Sequence, residues 1–359
     1  MAINKVQFIA YEINTFPIEL ITGGCLYKGL PDPATDAKAR VKLFEDALLA
    51  AHADSAWDRN KNTLKIFMAP EFYFRGTRGA YPIENHGVVM AGLKDILKDV
   101  MFEGWLFVCG SVIVRWLGDM ASTKKAGNAT LVQNIVPVIK GGVDEEPRVV
   151  IKEHMSGIDF IKVNDKIKRS DFTIADVRHP LAGKPGRFWG NNAKTGSGKE
   201  SQGLTKYSGL GIFDECGLTF GLEVCLDHAL KRLRKSPPGR NQAFVQLQLI
   251  PSAGMEIIDE AVVAVKNGLV MNCDGRPRAD DDTPMSQCKR VTKACGRLGS
   301  DATTTDIAIA KRIRVHPGAN CSQLFDDTHG IVRFYARTGI DAITGVNKPR
   351  NTNWIFDPY

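Results

Sequence analysis

The run from Leu218 to His228 gathers Glu223, Cys225, Asp227 and His228 within a few residues of one another. Read as a strand over Leu218–Leu226 with a period of two, it sets Leu218, Phe220, Leu222, Val224 and Leu226 on one face and Thr219, Gly221, Glu223, Cys225 and Asp227 on the other. Cys225 thereby falls on the polar side, flanked by carboxylates, where the strand is about to end. A thiol so placed is a candidate nucleophile. The plainer reading of a lone cysteine is a half-buried bystander.

Two further segments end an apolar strand on a charged residue. Phe67-Met68-Ala69-Pro70 delivers Glu71, which could act as a general base or cap a helix start. Val149-Val150-Ile151 delivers Lys152, which could sit at a reaction centre or snorkel to the surface. A Cys225–His228 dyad is not expected, because three residues along a strand the imidazole points to the opposite face.

Other chemistries find less support. The eight cysteines include no CxxC, and the seven histidines form no HxH, HxxxH or HExxH, so neither a disulfide scaffold nor a metal site is expected. Gly196-Ser197-Gly198-Lys199 is not a phosphate loop, since Ala193 stands where the first glycine belongs and Glu200 where Ser or Thr would hold magnesium. A formal charge of +7 over 359 residues favours acidic partners without establishing nucleic-acid binding, which is not expected. The basic run Lys231, Arg232, Arg234, Lys235 reads as a solvated helix face. The first ten residues lack the pattern of a signal peptide and no apolar run spans a bilayer, so a cytoplasmic protein with no membrane partner is expected.

Strand-like runs alternate with amphipathic stretches, the pattern of an α/β protein in which sheets are layered against helices. Strands are expected over 5–11, 64–69, 105–114, 129–138, 149–152, 209–213, 218–226, 243–250, 269–273, 306–315 and 331–337. Helices are expected over 37–53, where Val41, Phe44 and Leu48 hold helical spacing, and over 88–101 and 256–267. Between Ile161 and Lys206 periodicity fades and positive charge accumulates, which reads as a long loop or insertion, of a length that is usually functional or disordered. Residues 274–297 are again irregular and charged, and 341–359 read as a C-terminal arm.

In chain order, Glu71 in Ala-Pro-Glu-Phe, Lys152 after a short strand, and Cys225 in Glu-Val-Cys-Leu-Asp resemble the Glu-Lys-Cys triad of the nitrilase superfamily, the carbon–nitrogen hydrolases. Val108-Cys109-Gly110-Ser111 is similar to that family's Val-x-Gly-Ser strand, and Gly127-Asn128-Ala129 to its Asn-Ala/Thr step. Leu249 to Ala253, Ala264 to Gly268, and Met271-Asn272 resemble the segments after its cysteine. The resemblance implies a four-layer α-β-β-α sandwich with two mixed sheets, formed by one domain over 1–340 with insertions at about 161–206 and 275–305. It also implies a homo-oligomer, a dimer or larger.

The chemistry implied is two-step acyl transfer without cofactor or metal. Cys225 attacks an amide or carbamoyl carbon to form a thioester, Glu71 is the general base, and Lys152 stabilises the oxyanion with the backbone N–H of Leu226. Family members often carry another glutamate after the lysine; Asp159 is the candidate for that second acid. Phe72, Tyr73, His154, Asp227, His228 and Ser252 are candidates for contact with a small amide or nitrile substrate, and the basic insertion suggests an anionic group on it. Alternatives are nitrile hydrolysis or amide-forming acyl transfer on the same triad. From another class, the alternative is a catalytically silent module that binds an acidic partner.

Overall fold

The computed structural model describes residues 3–19, 25–117, 130–152, 172–174, 211–235, 245–295, 300–315 and 321–343. Its first sheet is built around Lys5–Glu12. Thr63–Ala69 runs parallel to it, and Trp105–Cys109 parallel to that strand in turn. Gly330–Tyr335 pairs antiparallel on the other side, with Ile309–Val315 beyond it. Thr130–Lys140 pairs antiparallel with Trp105–Cys109, Val112–Leu117 and Arg148–Ile151.

Strand alternation gives this sheet two apolar faces. Ile9, Tyr11 and Phe67 face the helices Pro33–Ala53 and Ile83–Leu97, whose Phe44, Leu48, Val89 and Leu93 bury themselves there. The first of these helices starts where Asp32 accepts the N–H of Thr35 at 2.8 Å and Pro33 fixes the entering φ.

Val6, Phe8, Ala10, Leu64, Ile66 and Met68 face the opposite way, toward the second sheet. That sheet runs in the order Ile212–Glu215, Leu218–Leu222, Leu247–Ser252, Leu269–Asp274, Gln287–Lys293, Thr303–Asp306, with its three middle pairings parallel, parallel and antiparallel. Phe220, Leu222, Leu249, Met271 and Cys273 meet the first sheet across one shared apolar layer. Two mixed sheets packed face to face, with helices outside, are thus the architecture of the chain.

The outer cover of the second sheet is thin. It consists of the short helices Leu226–Ala229 and Arg232–Lys235, the 3-10 turn Asp259–Ala261, and extended chain. The helix expected over 256–267 does not form. Val262, Val263 and Val265 are β-branched, and the N–H groups of Val263 and Val265 go to Gln248 Oε1 and the Val245 carbonyl instead of to a helical ladder. Two more expectations change. The run 105–114 is two strands broken at Gly110-Ser111, and the stretch read as irregular over 274–297 contributes Gln287–Lys293 to the second sheet. Within the basic insertion, Phe172–Ile174 pairs parallel with Thr130–Lys140, and its other residues lie outside those described. No helix among the described residues is long and apolar enough to cross a membrane.

Candidate active site

Glu71 follows directly on the end of Thr63–Ala69, where Pro70 interrupts the ladder. Three contacts fix its backbone surroundings. Its N–H donates to the Ser252 carbonyl at 3.2 Å, its carbonyl accepts the Thr15 hydroxyl at 2.6 Å, and the next N–H, that of Phe72, donates to Ser111 Oγ at 2.8 Å. Phe72 turns the chain at φ 64°. Gly110 allows the close approach of the Ser111 segment: it sits at φ +75°, and a Cβ there would stand 2.6 Å from the Pro70 carbonyl oxygen.

Lys152 lies just past Arg148–Ile151, its N–H held by the Asn134 carbonyl at 2.9 Å. Its ammonium stands 2.8 Å from Glu71 Oε1, and Asn134 Nδ2 donates to the same oxygen at 2.8 Å. Both charged side chains are buried, with 2% and 0% of their surface exposed. A pair so completely withdrawn from water requires close geometry and added hydrogen bonds to be tolerated, and Asn134 supplies one.

Cys225 does not continue the strand. The ladder ends at Leu222, and Cys225 adopts φ 47°, ψ −107°, the residue from which the helix Leu226–Ala229 starts. Non-glycine residues rarely take positive φ, and a strained turn from strand to helix is one way to present a nucleophile. The turn also overturns the expected parity. Cys225 packs with Leu222 and Val224 into the layer between the sheets, not on the polar side opposite the leucines. Its N–H donates to the Pro251 carbonyl at 3.1 Å and its thiol to the Ala253 carbonyl at 3.6 Å. Consecutive carbonyls at the end of Leu247–Ser252, those of Pro251 and Ser252, therefore anchor Cys225 and Glu71. Leu226 opens the helix, so its N–H belongs to the first turn, which has no intrahelical acceptor.

The other expected contacts divide. Phe72 is at the site: Lys152 Nζ lies 5.5 Å above its ring. Tyr73 points away, into the core beneath the helices, where its ring meets Phe44, Phe74 and Phe325. Asp227 is buried in the turn after Cys225. His228 is structural: Nδ1 pairs with Glu223 Oε2 at 2.8 Å and Nε2 accepts the Ile258 N–H at 3.0 Å, which places the ring proton on Nδ1. A Cys225–His228 dyad is absent because both imidazole nitrogens are engaged elsewhere, and not for the strand geometry expected, since Cys225 sits in a turn and His228 in the short helix that follows it. The Ser252 hydroxyl is likewise committed, to Asp274 Oδ2 at 3.0 Å, with Asn272 Nδ2 donating to it at 2.8 Å. His154 and Asp159 lie outside the described residues.

Asn134 and Asp274 carry weight that the sequence reading did not assign. The asparagine that meets the glutamate is Asn134, whereas Asn128 lies outside the described residues. The available signal was the amide pair Gln133-Asn134 inside the otherwise largely apolar strand Thr130–Lys140. The basic run after His228 is largely tied down as well: Arg232 is buried, and Arg234 binds Asp301 at 2.8 Å and the Ser300 carbonyl at 3.2 Å.

No protein-family model matches the chain, and no curated protein does. Among solved structures it is similar to an amidase from Nesterenkonia sp. AN1, in several forms. A double mutant in complex with acrylamide is 10% identical, with 92% of this chain and 90% of that one covered, at a TM-score of 0.41. A single mutant described as an amidase from the nitrilase superfamily is 12% identical, with 97% and 92% covered, at 0.40. Another, with the acetamide moiety of fluoroacetamide added covalently at the active-site cysteine, is 12% identical, with 93% and 91% covered, at 0.40.

Proposed function

We propose that the chain is a cysteine-dependent hydrolase of the nitrilase type, cleaving the C–N bond of a linear amide or carbamoyl substrate. The observation that carries this reading is the buried Lys152–Glu71 pair at 2.8 Å, whose glutamate donates its backbone N–H to the carbonyl next to the one that receives the N–H of Cys225, itself held in a strained turn. A purely structural role gives no reason for the glutamate of a desolvated ion pair and a cysteine at positive φ to share one anchoring strand.

Cys225 Sγ attacks the carbonyl carbon while Glu71 takes the thiol proton, and Lys152 with the Leu226 N–H stabilises the developing oxyanion. Collapse of the tetrahedral intermediate breaks the C–N bond, and Glu71 returns the proton to the leaving amine. Water, deprotonated by Glu71, then attacks the thioester, releasing the carboxylic acid and restoring the thiol. Asp159 is proposed as a second acid.

Intact mass spectrometry of Glu71→Gln incubated with a pool of amides tests this. An acyl mass on Cys225, absent from Cys225→Ala, is the expected result. Full turnover by Cys225→Ala, Glu71→Gln and Lys152→Ala alike would sink the reading.

A further inference from the structure

The side-chain amide of Asn134 is held one way round. A carboxylate only accepts, so the group that meets Glu71 Oε1 at 2.8 Å is the nitrogen, Nδ2, and Oδ1 must face elsewhere. That oxygen is shut off from solvent and has no hydrogen-bond partner among the described residues, in a residue only 8% exposed. A buried carbonyl left unpaired loses its hydration without return, so Oδ1 calls for a donor that the chain itself does not supply. Strand alternation sets the side it occupies. Along Thr130–Lys140, Asn134 shares the parity of Val136 and Val138, which lie in the layer between the sheets, where Cys225 also packs. Ile135 and Ile139, of the other parity, face the helices. The orphaned oxygen therefore lies beside the carboxylate and on the same side of the first sheet as the thiol.

Covalent geometry puts Oδ1 about 2.3 Å from Nδ2, and so at most about 5.1 Å from Glu71 Oε1, the two distances added. A nitrogen about 2.9 Å from each of two atoms bridges a gap of up to about 5.8 Å, so one amine can reach both. The leaving nitrogen is the substrate atom that Glu71 must protonate, and in most amides it carries hydrogen of its own. We infer that Asn134 Oδ1 accepts an N–H of the scissile amide, which turns the nitrogen's developing lone pair toward Glu71. Attack by Cys225 makes that nitrogen pyramidal. Its lone pair takes the proton that Glu71 received from the thiol, the C–N bond breaks, and the amine leaves. Only an amide with at least one N–H makes this contact. An ester oxygen or a nitrile nitrogen has no such hydrogen and would set a lone pair against the Asn134 oxygen, so the site selects against both classes. This assignment rests on the hydrolase reading above and adds to it the choice of substrate class.

The test compares N-methylpropanamide with methyl propanoate, in which an oxygen replaces the N–H and the shape is kept. Calorimetry on the Cys225→Ala chain reads binding without turnover, so the proton donation by Glu71 does not enter. The amide should bind at least about tenfold more tightly than the ester, and adding Asn134→Leu should bring the two within about twofold of each other. Turnover of the amide by the wild type, with a binding preference that Asn134→Leu leaves unchanged, overturns the contact and leaves the hydrolase standing. A preference that depends on Asn134, in a chain whose wild type hydrolyses no amide, supports the contact and overturns the hydrolase. Should Asn134→Leu fail to fold, Cys225→Ala decides with a third ligand, N,N-dimethylpropanamide, whose carbonyl is as strong an acceptor but which has no N–H. Binding of both this amide and the ester at least about tenfold weaker than that of N-methylpropanamide supports the contact. Affinity for the dimethyl amide equal to that for N-methylpropanamide, or binding of none of the three, overturns it.

Discussion

Lys152 Nζ and Asn134 Nδ2 converge on one oxygen of Glu71, each at 2.8 Å, so the carboxylate is held by a full charge and by a neutral donor from a neighbouring strand. Removing the ammonium leaves a buried carboxylate without its counter-charge, and breaking one side of such a pair typically costs about 3–5 kcal/mol. Lys152→Met should therefore destabilise the fold by about that much, and adding Glu71→Gln should recover most of the loss. Urea unfolding of the two single variants and the double variant measures the coupling. Strictly additive losses would show that the pair is not coupled in the folded chain.

Asn134 joins two roles, since its carbonyl fixes the Lys152 backbone and its amide fixes the Glu71 carboxylate. Asn134→Leu keeps the first and deletes the second. We expect kcat to fall by about 100-fold, equivalent to about 2.7 kcal/mol of transition-state stabilisation, with a smaller change in KM. A variant with kcat intact would assign Asn134 to folding alone.

Much of this arrangement was legible in the sequence, and the misses have physical reasons. Strands whose residues bury both faces, such as Thr63–Ala69 and Leu269–Asp274, read directly as apolar runs over 64–69, closing on Glu71, and over 269–273. Period-two parity failed at Cys225 because alternation holds only while the ladder continues, and a single positive φ moved the thiol to the apolar side. The helix expected over 256–267 failed because side-chain and strand acceptors, Gln248 among them, outcompeted the helical ladder. Asn134 and Asp274 were passed over because their partners, Glu71 and the Ser252–Met255 turn, are distant in sequence, and no local pattern announces a long-range hydrogen bond.

Burial raises the thiols that the proposed chemistry does not use. Cys216, near Glu215, is pushed up to about 12, as is Cys321, and Cys109, Cys273 and Cys288 are raised further. At pH 8 a thiol at about 12 is ionised in about one molecule in ten thousand. Iodoacetamide on the native protein should therefore label Cys225 and spare these five, whereas denatured protein is labelled at all of them. Cys295, half-exposed, serves as the internal reference. Peptide mapping that found Cys225 labelled more slowly than Cys295 would remove the evidence for an activated nucleophile.

Asp274 governs the loop that holds the resting thiol. Its carboxylate accepts from Ser252 Oγ at 3.0 Å and from the N–H groups of Gly254, Met255 and Arg276 at 2.9, 2.6 and 2.7 Å, which fixes the turn presenting the Ala253 carbonyl to Cys225. Burial nevertheless dominates and raises this carboxyl above its ordinary value, the four donors offsetting only part of the shift. Between the unfolded value of about 3.9 and the raised folded one, the folded chain holds a proton that the unfolded chain has released. Its contribution to stability is therefore fullest below about pH 3.9 and declines as pH rises through the folded pKa. Asp274→Asn cannot titrate, and it turns an amide NH2 toward N–H donors, so it should be less stable than the wild type at every pH. The difference should widen between pH 7 and pH 4, and kcat should fall by about tenfold as the Ala253 carbonyl loses its support. Unfolding curves for both proteins across that range decide the matter: a gap that narrows on acidification would mean that Asp274 is not held as a reluctant carboxylate in the folded state.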